Sequence, residues 1–306
     1  MPVNLNLDHI TESIGLDECY EAVIESKFDP CDVESFQAIG PLLKKLNNNQ
    51  TFLSDILIAE LEEHCASQSL TNRYTPQVIM LKGAQKGINF FMRANIWLPK
   101  SDPLLLASGE KSFFYRVPHD HNFNFLTSGY LGSGYHSDYY EYDYERVVGY
   151  PGEKANLRFI EHKQFGQGQI MLYRACRDVH NQLPADDLSV TLNIMPSMMF
   201  SHLHPQYVFN EQCTEVERTT VTTNGSIEPV LYLIAQRGSG KGLDFVEHLA
   251  QHSIIEEDRF RAIKALTSVQ SSKEGKLNVL EKLGLKSKSK LVREMTKSHQ
   301  AALGYV

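Results

Sequence analysis

The segment Pro118-His119-Asp120-His121 sets two imidazoles two residues apart. In a β-strand, residues i and i+2 project from one face, so His119 and His121 point together while Asp120 points away. Two imidazoles on one face can chelate a single metal ion, and a third ligand must come from elsewhere in the chain. His180 is the best candidate, because it follows the glycine-opened run GQGQIMLYRAC and precedes the run LSVTLNI. Antiparallel pairing would carry the loop that holds His180 beside the His119 strand. Three neutral ligands leave Fe(II) its full charge, which favours an anionic substrate atom and then O2 in the remaining positions. Zn(II) on the same three histidines would hold a water instead and give a hydrolytic or structural centre. By the same alternation Tyr115, Val117, Phe123 and Phe125 face inward, an aromatic pocket with one phenol. Tyr115 is therefore a candidate catalytic residue.

The elements that must position these residues follow from periodicity. Over residues 8–70, ECYEAVIESKF, FQAIGPLLKKL and FLSDILIAELEEH read as amphipathic helices, with Leu53, Ile56, Leu57 and Leu61 at three-to-four spacing. From about Thr75 the texture becomes β-rich, and QVIMLKGAQKGINFFMRANIWLP reads as a hairpin. Strand texture continues through KSFFYRVPHDHNFNFL, the run to EYD, NLRFIEHKQ, GQIMLYRAC, LSVTLNIMPS and EPVLYLIAQ. About eight strands without intervening helices imply an antiparallel sandwich or barrel. After Gly242 the period reverts to helical, with Phe260, Ile263, Leu266 and Val269 on one face. The expected organisation is a helical segment 1–73 packed on the core, a β-barrel at 74–237 and a C-terminal helical segment 238–306. The fold class expected is thus mainly β with helical flanks.

Composition restricts the function classes. The 306 residues are 42% hydrophobic and 22% charged with a net charge of −7, as in an ordinary globular protein. No stretch approaches the roughly 20 apolar residues of a membrane span, and the first residues lack the cationic start and apolar core of a secretory signal. Five cysteines without a CxxC pair indicate neither a disulfide framework nor a zinc ribbon, so a cytoplasmic location is expected. Residues 271–306 are net basic while the rest is acidic. Basic C-terminal helices could recruit a macromolecule to a metal-stabilised binding module, the alternative to an enzyme. The tyrosine-rich run YHSDYYEYDYERVVGY is acidic, which argues against a nucleic-acid surface.

HDHNFNFLTSGYLGSGYHSDYYEYD followed by GQIMLYRACRDVH resembles the two metal motifs of the cupin superfamily, over roughly residues 74–235. The wording P-H-D-H, the helical N-terminus and the pair Tyr74-Thr75 are similar to thiol dioxygenases of the cysteine dioxygenase type. That resemblance implies a cupin-like antiparallel barrel and an Fe(II)-dependent dioxygenase. It would oxidise a small, anionic or amino-acid-like molecule with O2, using His119, His121 and His180 as ligands. Many cupins add a glutamate after HxH, where this chain has Asn124, Phe125 and Leu126. The dioxygenases place a carboxylate-binding arginine after Tyr-Thr, where this chain has Pro76, and some have a cysteine where this chain has Leu126. Arg93 or Arg174 could supply the missing cation, and Arg93 joins Tyr115 as a candidate catalytic residue.

Competing signals have simpler readings. His136-Ser137-Asp138 matches the HxD of 2-oxoglutarate oxygenases, yet polar residues on one face of an exposed strand explain it. His202-Leu203-His204 reads as a surface turn. RGSGKG at 237–242 lacks the GxxxxGK[ST] pattern of a phosphate loop and reads as a joint into the C-terminal helices. Cys176 and Cys213 lack a neighbouring motif that would lower a thiol pKa and read as buried or inert. The helical flanks could cover the barrel mouth or form the interface of a homodimer, since short amphipathic helices need an apolar partner.

Overall fold

A computed structural model describes residues 2–72, 74, 77–197, 204–220 and 227–305. The chain divides into two compact units, Met1–Tyr144 with Asn156–Ser201 and Val208–Thr214, and Glu145–Ala155 with His202–Tyr207 and Glu215–Val306. No helix among the described residues is long and apolar enough to cross a membrane.

The first unit mixes helices with antiparallel sheets. Its elements run β1 (Val3–Leu5), α1 (Leu16–Glu25), α2 (Val33–Asn48), α3 (Phe52–Glu62), α4 (Ala66–Thr71), β2 (Val78–Lys82), β3 (Phe90–Trp97), α5 (Pro103–Ser108), β4 (Phe125–Leu131), β5 (Tyr135–Glu141), β6 (Arg158–Phe165), β7 (Ile170–Tyr173), β8 (Asp178–Leu183) and β9 (Ser189–Pro196). Six strands form one sheet in the order β1-β7-β4-β9-β3-β2, and three form another in the order β6-β5-β8. The hairpin expected at β2–β3 is present, with Val78 opposite Asn95.

Strand alternation sorts the side chains of the larger sheet into two cores. Phe90, Met92 and Ala94 of β3, Leu126 and Tyr130 of β4, Ile170 and Leu172 of β7, and Val190, Leu192 and Ile194 of β9 pack against Cys19, Val23, Phe36, Ile39, Leu43 and Leu46. The latter recur at the three-to-four spacing that makes one helical face apolar. Asp32 starts α2 by accepting hydrogen bonds from the Glu34 and Ser35 amides. The N-terminal helices thus cover one face of the sheet. On the opposite face Trp97, Phe125, Met171, Tyr173 and Met195 meet Tyr135, Tyr139 and Phe165 of the smaller sheet in a second core. The histidines lie on that inner side.

Two expected strands are helical. The strand expected from KSFFYRVP opens instead in a 3-10 turn at Glu110–Phe113, which follows α5. Asp102 caps α5 through the Leu104 amide, and Pro103 opens its first turn, in the stretch between the two expected strands. EPVLYLIAQ falls in α6 (Ile227–Arg237) of the second unit, within the span expected to be barrel. Its buried residues Leu231 and Ala235 stand four apart, a helical period hidden in a continuous apolar run. The second unit continues with α7 (Gly240–His252), α8 (Glu256–Ser268), α9 (Lys273–Val279), a π-helical turn at Leu280–Leu285 and α10 (Lys290–Ala302). Phe260 is buried, and Ile263, Leu266 and Leu280 share an apolar core with Val246 and Val292.

Candidate metal centre

His180 sits inside β8, not in a loop, and lies opposite Tyr139 of β5. Its backbone N–H donates to the His119 carbonyl, and the His119 N–H donates to the His180 carbonyl, both at 3.0 Å. This reciprocal exchange is the hydrogen-bonded pair of an antiparallel ladder. His119 itself belongs to no longer strand and forms isolated bridges to His180 and Val208, a correction to the strand expected through PHDH. Phe114 and Arg116 hold left-handed backbone, and Pro118 has no N–H to give a ladder. The segment is pinned by single hydrogen bonds instead: Arg116 N–H to Gln182 O at 2.9 Å, Phe209 N–H to Pro118 O at 2.8 Å and Cys176 N–H to His121 O at 2.7 Å.

The three imidazoles converge. His180 Nε2 lies 3.0 Å from His119 Nε2 and 3.3 Å from His121 Nε2. Two nitrogens each about 2.1 Å from a common ion stand about 3.0 Å apart at a right angle and about 3.4 Å apart at the tetrahedral angle. The observed separations fit one ion bound by three imidazoles. Among the described residues this is the one His, Cys, Asp and Glu group placed to hold a metal. His119 Nδ1 lies 2.7 Å from the Val117 carbonyl, so Nδ1 carries the proton and Nε2 turns its lone pair inward. Burial, reinforced by the neighbouring His119 and His121, holds His180 well below the usual imidazole range, which keeps it neutral and able to ligate. Asp120, fully buried, accepts from the Tyr142 hydroxyl at 2.6 Å.

Aromatic side chains surround the cluster. Phe123 and Phe125 approach His121 with ring centroids 5.0 and 4.8 Å away, as strand alternation led one to expect. Leu126 faces the helix-covered core instead. Phe114, 44% exposed, stands edge-on to His119 at 5.7 Å, and Tyr173 lies 4.7 Å from His180. Tyr173 stacks on Phe125 at 4.6 Å, and its hydroxyl bridges those of Tyr139 and Tyr135 at 3.1 and 3.2 Å. Burial pushes the Tyr173 and Tyr135 phenols well above their ordinary range and Tyr139 up to about 12. Gln182, two residues from His180 on the same strand face, lies outside the motifs read from the sequence, and Tyr173 lies within GQIMLYRACRDVH without a role assigned to it. Strand parity points to Gln182 once His180 is placed within a strand.

The candidate catalytic residues take different positions. Tyr115 is buried, and its hydroxyl donates to the Leu98 carbonyl at 2.9 Å. Arg93 lies on β3 opposite Asn193 of β9, which in turn faces Thr127 of β4 and donates to its hydroxyl at 2.7 Å. The Arg93 guanidinium is 4.6 Å from the Tyr74 ring, and its buried Nε has no hydrogen-bond partner among the described residues. Burial lowers the Arg93 pKa against the opposing influence of Tyr74. Arg174 is committed elsewhere, to Asp178 at 2.6 Å and Glu141 at 2.8 Å.

The other sequence signals resolve into ion pairs, a helix junction and a buried thiol. His136 of β5 pairs with Asp186, which follows β8, at 3.3 Å, and Asp138 of β5 with His162 of β6 at 2.7 Å. In the second unit, Lys282, Lys286 and Lys297 each pair with a glutamate. RGSGKG spans the junction of α6 and α7. Burial raises the Cys213 thiol. Thr75, Pro76, His202 and Leu203 lie outside the described residues.

No protein-family model matches the chain, and no curated protein matches it. Among solved structures it is similar to a cupin-like protein from Thermotoga maritima, at 16% identity and a TM-score of 0.24, over 44% of this chain and 74% of that one. It is similar to the 11S allergen from Cocos nucifera, at 10% identity and a TM-score of 0.25, over 62% of this chain and 39% of the allergen. A third likeness is to prolyl 4-hydroxylases from Phytophthora capsici, at 11% identity and a TM-score of 0.24, covering 92% and 83% of the two chains. None of the three carries the functional argument.

Proposed function

We propose that this chain is an Fe(II)-dependent oxygenase with a cupin-like barrel, akin to the three-histidine thiol dioxygenases. It oxidises a small anionic or amino-acid-like molecule with O2. The observation that carries this reading is the convergence of three Nε2 atoms at the spacing of ligands to one ion. His119, His121 and His180 hold the metal through neutral imidazoles. Bound Fe(II) supplies O2 activation at the positions that three histidine ligands leave open. Phe123, Phe125 and Tyr173 wall the site with rings and limit the water that reaches it. Arg93, which has no carboxylate partner among the described residues, supplies the cation for the substrate's anionic group. Tyr115 keeps its proton on the Leu98 carbonyl and holds the wall near Trp97, 5.7 Å from it between ring centroids.

The experiment is metal analysis of protein purified without oxygen, followed by O2-uptake assays with small thiols, amino acids and carboxylic acids. The expected result is close to one iron per chain, with O2 uptake that His121→Ala abolishes together with metal content. A protein that prefers zinc and leaves O2 untouched refutes the oxygenase reading, and undiminished metal in His121→Ala refutes the ligand assignment.

A further inference from the structure

We propose that Gln182 sets the tautomer of His180 that metal ligation requires, by accepting a hydrogen bond from His180 Nδ1; this rests on the metal reading above. For His180 to turn an Nε2 lone pair toward an ion, its proton must sit on Nδ1, and a buried N–H needs an acceptor. His119 has that acceptor in the Val117 carbonyl. At His180 Nδ1 the neighbouring polar group, among the described residues, is the Gln182 side chain.

The amide stands in the wrong sense for this task. Its nitrogen lies 3.4 Å from His180 Nδ1 and 3.3 Å from His180 Nε2, nearly equidistant, so it aims along neither ring lone pair. An amide N–H donating to Nδ1 would hold the proton on Nε2, the tautomer that blocks an ion. Gln182 Oε1 is meanwhile buried without a donor among the described residues, on a side chain only 5% exposed. The two deficits are complementary. A half-turn about the terminal torsion, which is broad and roughly two-fold, exchanges the amide's nitrogen and oxygen, and a further shift of the side chain toward Nδ1 then pairs Oε1 with Nδ1–H. The backbone need not move, because the Gln182 carbonyl is already anchored by the Arg116 amide at 2.9 Å. Gln182 is thus a positioning residue that acts through His180.

The test uses the full chain with Zn(II) as a diamagnetic probe. Affinity is read by chelator competition, and the His180 Nδ1–H by 15N-resolved proton spectra of the Zn(II)-loaded protein. In the wild type this proton is expected downfield and slow to exchange with water. Gln182→Leu should weaken Zn(II) by about 10–100-fold and shift the resonance upfield or lose it. Gln182→Glu, a stronger acceptor, should bind Zn(II) as tightly as the wild type or more tightly. Unchanged Zn(II) affinity in Gln182→Leu, or a Gln182→Glu as weak as Gln182→Leu, overturns the proposal. If Gln182→Leu does not fold, a wild-type Nδ1–H that exchanges as fast as an exposed imidazole overturns it alone. A wild-type chain that binds no Zn(II) overturns the metal reading and this proposal together, whereas binding with an indifferent Gln182 overturns only the latter.

Discussion

Replacing His180 by Gln and following stability against pH isolates the cost of keeping an imidazole neutral inside the cluster. Burial, then the nearby His119 and His121, depress the His180 pKa in the folded chain. In the unfolded chain the ring has its ordinary value near 6.5. Below about pH 6.5 the unfolded state therefore binds the extra proton, so stability is full above that pH and falls as the solution is acidified. One such group contributes a slope of up to about 1.4 kcal/mol per pH unit, or roughly 2 kcal/mol between pH 6.5 and 4.5. The assay is urea unfolding at stepped pH with a chelator present. It is read by the fluorescence of the single tryptophan, Trp97, which is buried in the core beside the cluster. The wild type should lose up to about 2 kcal/mol more than His180→Gln over that range. Parallel curves would refute the claim that His180 is held neutral by its surroundings. With Zn(II) at 100 times its Kd, the wild type should gain about 2.7 kcal/mol at neutral pH and the variant almost none.

Other outcomes follow from individual contacts. Tyr173→Phe removes the central hydroxyl of the phenol row, so it should destabilise by about 2–3 kcal/mol, roughly twice Tyr139→Phe, as measured by urea midpoints. Arg93→Met should leave thermal stability unchanged or raise it, because it removes a partly buried cation without a carboxylate partner, while abolishing thermal shifts produced by small carboxylates. A stabilising shift that persists in Arg93→Met would place the anion elsewhere. In the second unit Gly284→Ala would drive a Cβ into the Thr296 side chain and cost about 1–3 kcal/mol, and Thr296→Ala in the same chain should recover part of it.

The grouping of His119, His121 and His180 was legible because spacing and residue type carry the chemistry directly, but their backbone setting was not. Strand β8 reads DVHNQL, and every residue from Asp178 to Gln182 is buried, so it shows neither an apolar run nor alternation. Its polar side chains are matched by partners that a single sequence does not reveal: Asp178 by Arg174, Asn181 by Asp138, and His180 by the other two imidazoles. A buried polar strand of this kind looks like a loop. The helices of the first 70 residues were legible because their apolar faces are local signals. The helix α6 was not, since PVLYLIA is apolar at too many consecutive positions for a period to stand out. Tyr173 is near His180 through the β4–β7 register, which pairs it with Phe125, and register is a tertiary property.

The most direct measurement is X-ray absorption at the metal edge of the loaded protein. One first-row ion bound by three imidazole nitrogens at about 2.0–2.1 Å, reduced to two by His180→Gln, is the expected spectrum. A sulfur or carboxylate-only environment, or a spectrum indifferent to that substitution, would contradict the account.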